Sequence, residues 1–227
     1  MSHKYPHPKT GEMVIPSVTT IIGEFSPKDA LIQWASNSCR DYIVDNWEAM
    51  QGMCIDTHLN AARFHYKALS TEALDIGSEF HDIAEKIYKD KIIYESINPK
   101  VNNCVRAFEQ WVHDNDVEMI ATERSVFGDG WAGTLDLECM LNGIHTIVDY
   151  KTSKAIYPAT MGMQLAAYLS VTDAEAAGVL RVDKETGEYE YKGFTKSMLA
   201  KYLKRFNKRV ELYFEDHPSI KKKARGK

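Results

Sequence analysis

Two turn dipeptides constrain the fold of this chain more than any other feature. Asp129-Gly130 and Asn142-Gly143 separate three runs that read as strands, residues 119–127, 131–141 and 144–152. Asp-Gly and Asn-Gly favour two-residue hairpin loops, because Asn, Asp and Gly tolerate positive φ. A hairpin with a fixed loop length has a fixed register, so opposed positions follow by arithmetic. With Asn142-Gly143 as the loop, Leu141 faces Ile144 and Asp136 faces Asp149. Alternation along the strand then puts Lys151 on the face of Asp149. Leu135, Leu137, Cys139, Val148 and Tyr150 fall on the other face, an apolar surface able to pack. One face is expected to pack and the other to present two carboxylates and an ammonium.

Opposed Cβ atoms lie ~4.5–5.5 Å apart, and like charges there are destabilising. A sheet gains nothing from Asp across Asp unless a cation lies between them. All-oxygen ligands suit Mg²⁺ or Mn²⁺. The alternative is a solvated polar sheet face, and Lys151 beside the pair favours the cation. Asp149-Tyr150-Lys151 has a second counterpart in Glu190-Tyr191-Lys192, which lacks a carboxylate-bearing strand hairpinned before it and reads as an exposed strand face. If Asp129-Gly130 is also a two-residue turn, Glu123 lies opposite Asp136 as a third carboxylate. A three-residue turn would move it to the other face.

The rest of the chain places this hairpin. Apolar spacing predicts helices over residues 29–45, 55–69 and 72–89, the last with the stripe Ile76, Phe80, Ile83 and Ile87. Asn98-Pro99 caps and opens a helix striped by Val101, Val105, Phe108 and Val112. After the hairpins come a helix over 159–171, strands over 178–182 and 188–194, and a helix over 196–213. The expected class is α/β, with a central mixed sheet, a mainly helical N-terminal part (1–116), a sheet core with its C-terminal helix (117–213) and a basic tail (214–227), all in one domain of 1–227.

These segments together resemble the PD-(D/E)XK nuclease superfamily, and within it the RecB-type exonucleases, which include phage recombination exonucleases and the mitochondrial genome-maintenance exonuclease. The matching stretches are Gly133-Thr134-Leu135-Asp136, Asp149-Tyr150-Lys151-Thr152-Ser153 and Gln164-Leu165-Ala166-Ala167-Tyr168. Upstream, Gly77-Ser78-Glu79-Phe80-His81 matches the Gly-x-x-x-His element of that branch. Pro16-Ser17-Val18-Thr19-Thr20-Ile21-Ile22 and Leu31-Ile32-Gln33-Trp34-Ala35 match its opening. No Pro precedes Asp136, as is usual in the branch.

The resemblance implies a restriction-endonuclease-like core and a metal-dependent DNA exonuclease. It would hydrolyse phosphodiesters to leave 5′-phosphates, in phage or bacterial recombination, replication or repair. Asp136 and Asp149 would bind Mg²⁺ or Mn²⁺ with the Tyr150 carbonyl and His81, and Lys151 would serve the attacking water and the transition state. Gln164 and Tyr168, one turn apart, would lie near the site. Ser17 and Thr19 suit either phosphate binding or simple capping, and Lys154 is a candidate backbone contact. DNA is the implied partner, with a single-strand-annealing or replication protein beside it. The other readings are a structure- or sequence-specific endonuclease on the same site, and a non-catalytic nucleic-acid-binding protein with a relict site.

Composition bounds these expectations. The 227 residues are 44% hydrophobic and 26% charged, which excludes disordered, collagenous and disulfide-scaffold classes. No apolar run approaches the ~20 residues of a membrane span, and residues 1–11 have no signal-peptide core. Cys39, Cys54, Cys104 and Cys139 are widely spaced and none follows Cys139, so no iron–sulfur cluster of the kind some relatives carry is expected. An intracellular, reducing, cytoplasmic setting fits. The net charge of −4 divides unevenly, because residues 195–227 hold 11 basic and 3 acidic side chains, 11 − 3 = +8. Such a stretch can meet a polyanion or can be a solvated helix face.

Overall fold

The chain begins with β1 (Lys4–Pro6), β2 (Met13–Pro16) and α1 (Val18–Glu24), followed by α2 (Asp29–Asp45), α3 (Trp47–Met50), α4 (Ile55–Asp90) and α5 (Pro99–Asp114). Then come β3 (Val117–Phe127), β4 (Ala132–Leu141), β5 (Ile144–Lys151), α6 (Pro158–Leu169), β6 (Ala176–Val182), β7 (Tyr189–Thr195), α7 (Lys196–Asp216) and α8 (Pro218–Arg225). This computed structural model describes residues 4–51, 55–90 and 94–225; Cys54 and the last two residues of the basic tail lie outside them. Two compact units result, Ser26–Ser78 and the combination of Met1–Phe25 with Glu79–Lys227.

The Ser26–Ser78 unit is helical. In it Trp34 meets Tyr66 edge-on at 6.4 Å, and Tyr42 meets His65 at 5.2 Å. The Ser38 hydroxyl donates to the Trp34 carbonyl at 2.8 Å. Two separate helices were expected over 55–69 and 72–89, but α4 is continuous. Ser70 and Thr71 read as a boundary because they cap helices well; with no Gly or Pro beside them, nothing breaks the helix there.

The other unit is built on a five-stranded sheet, β3-β4-β5-β6-β7. The pairs β3–β4, β4–β5 and β6–β7 are antiparallel, and β5–β6 is parallel. A parallel pair needs a crossover, and α6 supplies it. Asn142 (φ 50°) and Gly143 (φ 79°) both adopt positive φ, so the loop has two residues and Leu141 pairs with Ile144. At the other turn the Gly128 N–H donates to the Trp131 carbonyl at 2.8 Å, with Gly130 at φ 83°. The β3–β4 register shifts by one residue between Met119 and Ala121.

Both faces of the sheet are covered. On one face, Phe80 and Phe108 pack against Tyr150 at 5.6 and 5.4 Å, and Trp111 packs against Tyr191 at 5.7 Å. On the other, Ile147, Ala177, Val179 and Phe194 share a core with α1, α6 and α7 through Ile21, Met163, Ala166, Leu199 and Phe206. Sequence reasoning expected that second face to present its charged groups rather than pack. The parallel crossover overturns this, because it lays α6 over the face that carries Asp149. Among the described residues no helix is long and apolar enough to cross a membrane.

Candidate metal and catalytic centre

The β4–β5 ladder runs from Leu141↔Ile144 to Leu137↔Val148, and Asp136 and Asp149 are the next positions outward. Asp149 is 3% exposed. Its Oδ1 accepts from Gln164 Nε2 at 2.8 Å, and its Oδ2 pairs with Lys151 Nζ at 2.5 Å. Among the described residues Oδ2 has no partner besides Lys151. Lys151 Nζ directs its hydrogen bond to the Tyr150 carbonyl at 3.0 Å. Burial raises the Asp149 carboxyl above the usual carboxylate range, and Lys151 opposes the shift. Burial disfavours the Lys151 charge, but Asp149 and Asp136 overcome it and raise the ammonium above its ordinary value.

Asp136 is held differently. Its Oδ2 accepts from the Tyr150 backbone N–H at 2.7 Å, across the hairpin. Its Oδ1 lies 3.5 Å from His81 Nδ1. His81 also lies 3.8 Å from Glu123 Oε1, and its ring meets Tyr150 edge-on at 5.5 Å. Burial alone would lower the His81 pKa; Glu123 and Asp136 outweigh it and raise the imidazole.

Glu123 sits between the ladder pairs Thr122↔Leu137 and Arg124↔Leu135, and has φ 49°. A left-handed residue that is not Gly, inside a strand, costs of order 1–3 kcal/mol. The kink accompanies a carboxylate turned toward His81. One ligand atom from each of His81, Glu123 and Asp136 lies within 4.8 Å of the others. One imidazole nitrogen with carboxylate oxygens fits a divalent ion such as Mn²⁺, and Mg²⁺ suits the oxygens. The buried Asp149 Oδ2, without a second donor, fits the same chemistry.

The remaining expected site residues divide. Gln164 Nε2 also donates to the Tyr168 hydroxyl at 3.3 Å, and burial raises the Tyr168 phenol. Gln164 and Tyr168 therefore join the carboxylate group. Ser17 is a buried N-cap: its Oγ accepts from the Thr20 N–H at 3.0 Å and bonds the Thr19 and Thr20 hydroxyls. Thr19 and Lys154 are exposed. Glu85, one turn beyond His81 on α4, pairs with Lys89.

Two features of the site were not found by sequence reasoning. The Tyr5 hydroxyl bonds Thr134, one alternation from Asp136, at 2.9 Å. They stand 129 positions apart, so no local signal links the two. Glu138, buried two residues beyond Asp136, is held by Arg124 at 2.7 Å and His145 at 2.9 Å. The same hairpin arithmetic brings Glu138 and His145 onto neighbouring positions of one face, so that signal was present.

No family model matches the chain, and no curated protein does. Among solved structures, the chain is similar to an alkaline exonuclease from Laribacter hongkongensis, at 6% sequence identity and a TM-score of 0.32, over 63% of this chain and 86% of that one. It is also similar to SSO0001, at 16% identity and a TM-score of 0.31, over 62% of this chain and 70% of that one.

Proposed function

We propose that the protein is a Mg²⁺- or Mn²⁺-dependent DNA exonuclease that leaves 5′-phosphates, acting in phage or bacterial recombination, replication or repair. The observation that carries this reading is the meeting of His81, Glu123 and Asp136 beside the buried Asp149–Lys151 pair. His81, Glu123 and Asp136 would hold the ion, together with Asp149 and the Tyr150 carbonyl. The ion supplies neutralisation of phosphate charge and a more acidic water. Lys151 places a fixed positive charge where negative charge grows on the phosphorus oxygens. Gln164 holds Asp149 in one orientation, and Tyr168 backs Gln164. Thr19 and Lys154, both exposed, would contact the phosphate backbone, while the Ser17 hydroxyl is taken up in capping α1; an annealing or replication protein is the fitting partner.

End-labelled linear DNA and covalently closed circles, each incubated with Mn²⁺ or Mg²⁺, test the reading. Linear DNA should shorten from its ends with 5′-phosphate products, and the circle should persist. Lys151→Ala should lower the rate at least ~100-fold, the scale of losing one charge-stabilising donor. Uncut linear DNA, or full activity in the Lys151 variant, refutes the mechanism; cut circles convert it to an endonuclease.

A further inference from the structure

The outer face of α7 carries a charge order that helix stability disfavours. Residues 196–210 contain six basic side chains (Lys196, Lys201, Lys204, Arg205, Lys208 and Arg209) and no acidic one. The first turn has no acidic residue and the last turn no basic one, while Glu215 and Asp216 stand at the C-terminal end. A helix macrodipole favours the reverse, anions at the N-terminus and cations at the C-terminus. Lys201 and Arg205, Lys204 and Lys208, and Arg205 and Arg209 are like-charged pairs four residues apart, each mildly destabilising. Arg209 registers the crowding: burial, and then Arg205, lower its pKa.

The cations form one stripe. Leu199, Phe206, Val210 and Tyr213 face the core. Lys201, Lys204, Arg205 and Lys208 are exposed on the opposite side, and among the described residues none of the four is in an ion pair. From Lys201 to Lys208 the stripe is about 10 Å long at 1.5 Å per residue. The helix is tied to the carboxylate centre through α6. Tyr202 lies against Gly162, where an added Cβ would come within 3.0 Å of its ring. Two residues along α6, Gln164 donates to Asp149. Two basic residues of α8 are differently placed: Lys223 pairs with Glu12, and Arg225 with Asp129 and Glu211.

We infer that Lys201, Lys204, Arg205 and Lys208 form a phosphate-backbone surface, which holds nucleic acid flanking the cleaved bond without reading its sequence. This inference rests on the proposed nuclease reading for its substrate, but its test does not depend on cleavage. The ligand chemistry is a run of phosphodiesters, from a single strand or a duplex. Neutralising each phosphate releases counterions, with a log–log salt slope of about −0.9 per contact for duplex and about −0.7 for single strands.

The experiment measures fluorescence anisotropy of labelled single- and double-stranded 30-mers with the full chain in EDTA, across a salt series. Lys201→Ala/Lys204→Ala/Lys208→Ala should flatten the slope by about 2.7 on duplex or about 2.1 on single strands. The matching triple Arg variant should keep the slope. Thermal melting should place the Ala variant at or above the parent, since the mutated charges oppose the helix. An unchanged slope, a lower melting temperature, or a loss of affinity for anionic vesicles with DNA binding intact overturns the inference. If DNA is bound with the expected slopes but never cut, the nuclease reading fails and the surface stands; if DNA is cut and the slopes do not move, the reverse holds.

Discussion

Lys151 keeps its charge in a largely buried place because two carboxylates adjoin it. Removing it strands Asp149, so Lys151→Ala should also cost stability. A fully buried pair broken on one side loses about 3–5 kcal/mol. Lys151 is 27% exposed, so a smaller loss, about 2 kcal/mol by urea unfolding, is expected. Glu123 gives the opposite sign. At φ 49° it is a position that suits Gly. Glu123→Gly should raise metal-free stability by about 1 kcal/mol, which is about 2–4 °C in a chain of this size. The same variant should bind Mn²⁺ at least ~10-fold more weakly by calorimetry, as expected when one carboxylate ligand leaves. A variant both less stable and equally avid would show that the kink serves packing and not the ion.

At the scale of elements, the β4 backbone and α6 meet through one missing side chain. A Cβ on Gly133 would overlap the Tyr168 ring, leaving that ring no room where it now stands. Gly133→Ala should therefore push Tyr168 off Gln164 and cost about 1–3 kcal/mol, as overpacking does. Urea unfolding reads the stability, and loss of activity at a temperature where the variant is still folded reads the displaced Gln164. The β4–β5 hairpin was legible in the sequence because Asn142-Gly143 has one good conformation, and register then places Asp136, Asp149 and Lys151. The position of Glu123 opposite Asp136 was legible by the same reasoning; its positive φ was not, since no residue type announces a strained backbone. The burial of Asp149 was hidden as well. It depends on α6 crossing over that face, a tertiary fact beyond any local pattern. The elements β1, β2, α1, α3 and α8 are too short to carry a period.

Over the whole molecule, burial of thiols controls how the fold responds to alkali. Cys104 and Cys139 are 0% exposed, on α5 and β4, while Cys39 is partly exposed. Burial pushes both buried thiols up to about 12 from an ordinary 9.0. Above the ordinary value the unfolded chain releases these protons and the folded chain does not. The unfolded state therefore binds fewer protons, and stability falls as pH rises from about 9 toward about 12. Each thiol contributes about 1.4 kcal/mol per pH unit in that window. Urea unfolding in reductant at pH 8 and pH 10 checks it. The parent should lose about 2–3 kcal/mol more than Cys104→Ala/Cys139→Ala, whose lower starting stability from the emptied volume cancels in the comparison between pH values. Buried Tyr150, Tyr168 and Tyr191 are raised as well and destabilise in the same direction in both proteins, so only the difference belongs to the thiols. In a Cys54→Ser background at pH 8, a thiol reagent should modify Cys39 first and the other two only at the rate of unfolding. Equal alkaline losses in parent and variant, or three equally fast thiols, would mean that α5 and β4 do not seal that face of the sheet.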